Sequence, residues 1–174
     1  LNMLDLHQYF GVALLGLVFF RILWGFFGTY YSSFKSFNLS IIDALSQFSK
    51  NNNIKSIRTP IGCYSTLIFI IVLLSISVSG LFSSDDVLYD GPLSFLTPNH
   101  TNDWSYVHNI LHYLLYSLIG LHIIAILYYQ IVKKMKMIER VLDGYSRIEK
   151  INIVPINDKP LIGILLLLIL TFSP

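Results

Sequence analysis

The chain has 174 residues, of which 54% are hydrophobic and only 13% charged, where a soluble domain carries about 25% charge. That balance excludes an ordinary soluble globular protein, and a formal net charge of +2 is too small to point to nucleic acid as a partner. A single cysteine, Cys63, excludes an internal disulfide and a cysteine metal cluster.

The first apolar segment runs over residues 6–27, with His7 at its start and Arg21 near its end. It is long enough to span a bilayer, which takes about 20 residues. A polar stretch follows, from Thr29 to Arg58. Within it Leu39, Ile42, Leu45 and Phe48 recur at helical spacing behind Asn38 and Ser40, two capping residue types. This predicts a short amphipathic helix near 38–50 at the membrane surface, ended by Asn51, Asn52 and Asn53. A second span is expected over 60–81, opened by Pro60. Its Ser65, Ser75, Ser77 and Ser79 can bond back to the helix or permit close helix contacts. The connection after it contains Asp85, Asp86, Asp90 and Asp103 and neither Lys nor Arg.

The third span covers about 104–132 and carries His108, His112 and His122. Histidine is costly inside a bilayer and usually functional there. His108 and His122 are 14 residues apart. That offset returns to within about 40° of one helix face, about 21 Å further along the axis. One face therefore presents two imidazoles at two depths. A basic segment follows: Lys133, Lys134, Lys136, Arg140, Arg147 and Lys150. Residues 161–174 form a last apolar run, short for a span, read as a truncated or interfacial helix. The expected division is a transmembrane bundle over 1–132, a basic cytoplasmic segment over 133–160 and the hydrophobic segment over 161–174.

Lys35, Lys50, Lys55 and Arg58 in the first loop, with the basic segment after the third span, mark the cytoplasmic side. The acidic connection is then outside, and so is residue 1. No signal peptide is visible, and the expectation is a further span before Leu1.

On this topology His7 and His108 begin antiparallel spans at the same outer depth. Two imidazoles facing each other across a bundle would ligate a haem iron. The alternative is that His7 is an interfacial residue and His108 bonds a neighbouring carbonyl. His112, one turn after His108, is read as a second-sphere or propionate partner or a polar packing residue. His100 is read as a loop residue. Arg21 is 14 residues after His7 and so shares its face at the inner depth, level with His122. It would meet a haem propionate or snorkel to the interface. Gly11 follows His7 by one turn and Gly120 precedes His122. A glycine beside a ligand histidine admits a flat macrocycle. C-x-x-C-H does not occur, so any haem here is not attached in the c-type manner.

These residues resemble the bacterial membrane b-type cytochromes of the cytochrome b561 type, the subunits that accompany hydrogenases, formate dehydrogenases and c-type cytochromes. The resemblance covers roughly residues 4–145. LHQYFG resembles L-H-E-W-L-G of that family, and FRILWGFFGTYYSSFKSF resembles R-L-L-W-G-F-x-G-S-x-Y-A-R-F, the most specific piece. SGLFSSDD resembles T-G-L-F-x-x-D-D, and VHNILHYLLYSLIGLH resembles paired histidines at 14-residue spacing. IERVLDG resembles a short motif after the last ligand helix. IRTPIG stands where the family has G-H-N-P-x-G, with Arg58 at the histidine. The family's first span, with an R-x-x-H-W motif that ligates the inner haem, has no counterpart here.

The resemblance implies an all-α integral membrane bundle, with three clear spans contributing to a four-helix haem-binding core. It implies haem b held by His7 and His108, and a second site at His122 whose other ligand lies in a preceding segment or a partner chain. The expected function is electron transfer between a quinone pool and a periplasmic c-type cytochrome or a dehydrogenase or hydrogenase subunit. The chain would act as a multi-pass subunit of the bacterial inner membrane rather than as an enzyme by itself. The competing expectation is a degenerate, non-redox membrane anchor. A transporter or channel would need broken helices or paired intramembrane acids, and the spans have neither.

Overall fold

The computed structural model describes residues 3–29, 32–46, 59–84, 90–134, 138, 163–164 and 167. Four α-helices are seen among them: α1, Met3–Phe27; α2, Ile41–Ser46; α3, Pro60–Phe82; and α4, Thr101–Ile131. Short 3-10 turns occupy Phe34–Ser36 and Ser94–Leu96. Ser84 and Asp90 form an isolated antiparallel bridge, and the described residues contain no strand. Asn51, Asn52, Asn53, Asp85, Asp86, Arg58 and the basic segment beyond Lys134, apart from Ile138, lie outside the described residues.

Three helices are long and apolar enough to cross a membrane: α1, α3 and α4. The protein is an all-α integral membrane protein. The chain covers little of these helices: Phe10 is 71% exposed and Ile124 65%. Such surface would be costly in water and is well matched in hydrocarbon, where helices satisfy their own backbone groups. At 31 residues α4 is about 46 Å long, against about 30 Å of hydrocarbon, so its ends reach the interfaces.

Local chemistry sets the helix ends. Ser40 caps α2, its hydroxyl accepting from the Asp43 N–H at 3.2 Å. Asn38 supports the same turn by donating to the Asp43 carboxylate at 2.8 Å. Thr59 caps α3, accepting from the Gly62 N–H at 3.1 Å, and Pro60 fills the first helical position. The third span begins at Thr101, three residues ahead of the expected Trp104, because the Trp104 N–H already reaches the His100 carbonyl at 3.1 Å.

The chain divides into two compact units. The first comprises Leu1–Ser36, Ile68–Leu115 and Ile156–Pro174, and the second Phe37–Leu67 and Tyr116–Pro155. In the second, α2 exposes Ile41, Ile42 and Leu45, and the Tyr64 hydroxyl donates to the Leu39 carbonyl at 2.7 Å. In the first, Gly163 is buried against the Trp24 indole. A Cβ at Gly163 would stand 2.8 Å from that ring, so the glycine permits the approach.

Two local closures shape the first unit. After α3 the chain turns back on itself: the Leu93 N–H donates to the Leu81 carbonyl at 2.9 Å and the Gly91 N–H to the Ser83 carbonyl at 2.8 Å. The Ser84 hydroxyl donates to the Asp90 carboxylate. Ser105 in α4 then exchanges bonds with Ser84, its hydroxyl donating to the carbonyl at 2.8 Å and accepting from the N–H at 3.2 Å. Phe82 and Trp104 stack beside this exchange at 5.2 Å. The second closure follows α1. Arg21 donates to the Ser32 carbonyl at 3.3 Å and lies over the Phe34 ring at 5.1 Å. Phe34 packs onto Gly25 so closely that no Cβ would fit there.

These closures give two expectations for thermal unfolding of the detergent-solubilised protein. At Gly91 a Cβ would crowd three backbone carbonyls, at 2.7 Å from Ser83 and 2.8 Å from Gly80, with Leu81 closer still. Backbone cannot step aside, so Gly91→Ala should cost about 1–3 kcal/mol and lower the midpoint. Gly120→Ala, which meets open space, should hold or raise it. Arg21→Ala should cost about 1.5–3 kcal/mol for the charged hydrogen bond alone. Arg21→Lys should recover only part, because lysine lacks the planar fork that bonds and stacks at once.

Candidate functional site

His7 sits in the second turn of α1, with its side chain exposed. His108 sits two turns into α4 and is half-buried. The structure brings the two together, with ring centroids 6.0 Å apart and ring planes at 90°. Beside His7 the helix surface is open, since a Cβ at Gly11 would meet nothing within 4 Å.

His108 is fixed from its Nδ1 side. That nitrogen lies 3.0 Å from the Ile76 carbonyl oxygen and 3.1 Å from the Ser79 hydroxyl. A carbonyl has no proton to give, so Nδ1 carries the hydrogen and donates it. The neutral imidazole then keeps its lone pair on Nε2, the usual arrangement of a ligating histidine. Of the two sequence alternatives for His108, the carbonyl bond is made, and it uses Nδ1. Ser79 is 1% exposed, and its hydroxyl donates in turn to the same Ile76 carbonyl at 3.0 Å. Gly80 completes the seat, since a Cβ there would stand 3.1 Å from His108 Cε1 and 3.3 Å from Nδ1.

His122 lies further along α4, in the second compact unit. Its Nδ1 meets the Ser65 hydroxyl of α3 at 3.1 Å. Near it, Gly120 also opens onto free space. His112 belongs to the first unit and packs edge-on against Tyr113 at 5.5 Å. His100 is exposed and meets the Asp103 carboxylate at 3.0 Å, a loop contact at the mouth of α4. Arg21 reaches the turn after its own helix, through Ser32 and Phe34.

The sequence reading singled out the histidines but gave Ser65 and Ser79 no particular role, and it passed over Gly80 and Ile76. One signal was present: Ser65 and Ser79 are 14 residues apart, as are His108 and His122. Among the described residues no three His, Cys, Asp or Glu side chains gather as a metal site. His7 and His108 meet as a pair.

Neither a curated protein nor a solved structure matches the chain. The family described as prokaryotic cytochrome b561 matches residues 1–144. A match of that extent runs through all three spans and every histidine described above, so the chain belongs to the prokaryotic cytochrome b561 family, membrane proteins that bind b-type haem and carry electrons.

Proposed function

We propose that His7 and His108 together would hold one haem b, His108 through its Nε2. The observation that carries this reading is the ring separation of 6.0 Å. Metal–imidazole bonds of about 2 Å on each side put two ring centroids roughly 6 Å apart. Rings at 90° suit a common axis, because that axis can lie in both planes. Two protein donors suffice where a macrocycle fills the remaining positions of the iron. The open surface at Gly11 leaves room for a flat ring against α1.

Bis-histidine haem supplies reversible one-electron chemistry without opening a coordination position to substrate. The chain's own residues decide where and how that occurs. His7 and His108 fix the position of the iron in the apolar part of the protein. The Ile76 carbonyl keeps His108 in the neutral tautomer, ready to donate from Nε2. The helical period places Arg21 on the His7 face of α1, about 21 Å along. Its guanidinium has five N–H donors, enough to hold both Ser32 and a propionate. His112 is a polar neighbour one turn after His108 on the same helix and would be a partner to the group that His108 holds. His122 would be a ligand of a second haem.

The redox partners follow from charge. The outer connection, with Asp90 and Asp103, suits a basic face of a c-type cytochrome or an oxidoreductase subunit in the periplasm. The other end exchanges electrons with the quinone pool of the inner membrane. The basic residues over 133–160 would lie at the cytoplasmic side under the positive-inside rule.

A reduced-minus-oxidised spectrum of the membrane protein tests the assignment. It should show a b-type α-band, and His7→Ala or His108→Ala should each remove the contribution of one haem. His112→Ala should leave it in place. Absence of any b-type band would sink the electron-transfer reading and favour a non-redox membrane anchor.

A further inference from the structure

The three-residue seat around His108 and the contact at His122 share a design that the ligand assignment does not explain by itself. Each histidine has its Nδ1 against a serine hydroxyl of α3, at 3.1 Å in both cases. Each contact lies within its own compact unit. The serines are spaced as the histidines are, by 14 residues, and the lower-numbered serine meets the higher-numbered histidine. Two antiparallel helices that repeat one contact after the same number of residues do so only if both side chains return to the same face at the same interval. Fourteen residues do this on an α-helix to within about 40°.

We infer that Ser79 and Ser65 are positioning residues for His108 and His122, setting the ring orientation and donor strength of each. The inference rests on the haem reading above and extends it to α3, which carries none of the ligands. At His108 the mechanism is explicit. The Nδ1–H is held between the Ile76 carbonyl and the Ser79 oxygen. The Ser79 hydrogen is already committed to the Ile76 carbonyl, so its oxygen faces Nδ1 as an acceptor. Two acceptors on one N–H draw the proton outward and make Nε2 a stronger donor. A stronger donor stabilises the ferric state more than the ferrous one and lowers the reduction potential. Burial of Ser79 at 1% exposure keeps water from replacing the hydroxyl. At His122 the Ser65 hydroxyl lies 3.1 Å from Nδ1 and holds the ring by the same nitrogen.

Gly80 adds a steric part to the seat. With 3.1 Å from an added Cβ to His108 Cε1 and 3.3 Å to Nδ1, the ring has no slack on that side. A side chain at position 80 would crowd the ring and make it give by a few tenths of an ångström.

The test uses the full chain in native membranes, with redox titration of the b-type band and the low-spin ferric resonance as readouts. Ser79→Ala should retain haem, shift the midpoint of the haem that His108→Ala abolishes to a more positive potential, and alter its ferric signal. Ser79→Thr, which keeps the hydroxyl, should restore both. Ser65→Ala should do the same to the haem that His122→Ala abolishes, leaving the first unchanged. If Ser79→Ala does not accumulate, Gly80→Ala carries the test. It should displace the ferric signal of the same haem and spare the other. A b-type band that is present, is lost in His108→Ala and has wild-type potential and signal in Ser79→Ala overturns the positioning role alone. Loss of haem in both Ser79→Ala and Ser79→Thr overturns it too, because the hydroxyl would then not be what matters. No change in Ser65→Ala overturns the His122 half. No b-type band in the wild type overturns the haem reading and this inference together.

Discussion

The hydrogen bond from His108 Nδ1 to the Ile76 carbonyl is the contact on which the site depends. It decides the tautomer, because only the imidazole can be the donor. It thereby leaves the lone pair on Nε2. It also ties α4 to α3 through the main chain of α3. A membrane-spanning histidine without such a partner would face hydrocarbon with a bare N–H, which costs several kcal/mol on an order-of-magnitude scale. The same bond that removes this cost orients the ring toward His7.

The rest of the first unit can be understood as holding that bond in register. Ser105 precedes His108 by three residues and is locked to Ser84 by donation and acceptance together. Ser84 is held in turn by Asp90, and the chain after Asp90 returns across the end of α3 through Gly91 and Leu93. A slip of α4 by one residue would rotate it by about 100° and take His108 away from Ile76. The clamp at the membrane surface therefore governs a contact deeper in the helix. On the other side of the unit, Arg21 and Phe34 fold the chain back onto the last turns of α1, helped by the bare surface at Gly25.

Much of this was legible in the sequence, for identifiable reasons. The three spans announce themselves through length and apolarity, since a bilayer requires both. His7 and His108 stand out because imidazoles are rare in such segments. The Arg21 to Phe37 stretch, the most specific piece of the family resemblance, turns out to contain a self-contained latch, so its residues are tied to one another in space. What stayed hidden was the support for the ligands. Serine is common in membrane helices and usually bonds its own backbone, as Ser83 does to Gly80 at 3.0 Å. Nothing in the local pattern separates Ser79 from Ser75 or Ser77. Only the partner helix does, and its register is a tertiary fact. Arg21 was read for its charge at depth, and the structure adds a neutral carbonyl and an aromatic face to its partners.

The acceptor that fixes His108 is a peptide oxygen, and this has an evolutionary consequence. Any residue but proline at position 80 leaves the helix backbone at Ile76 in place, and every amino acid supplies a carbonyl at position 76. The genetic code cannot delete that group by a point change. Position 76 is therefore free to drift among apolar residues while the bond persists. The burden of inheritance shifts to sites that never touch the ring nitrogen, those that keep two helices in step. Relatives that share this latch need not share the letter that makes it.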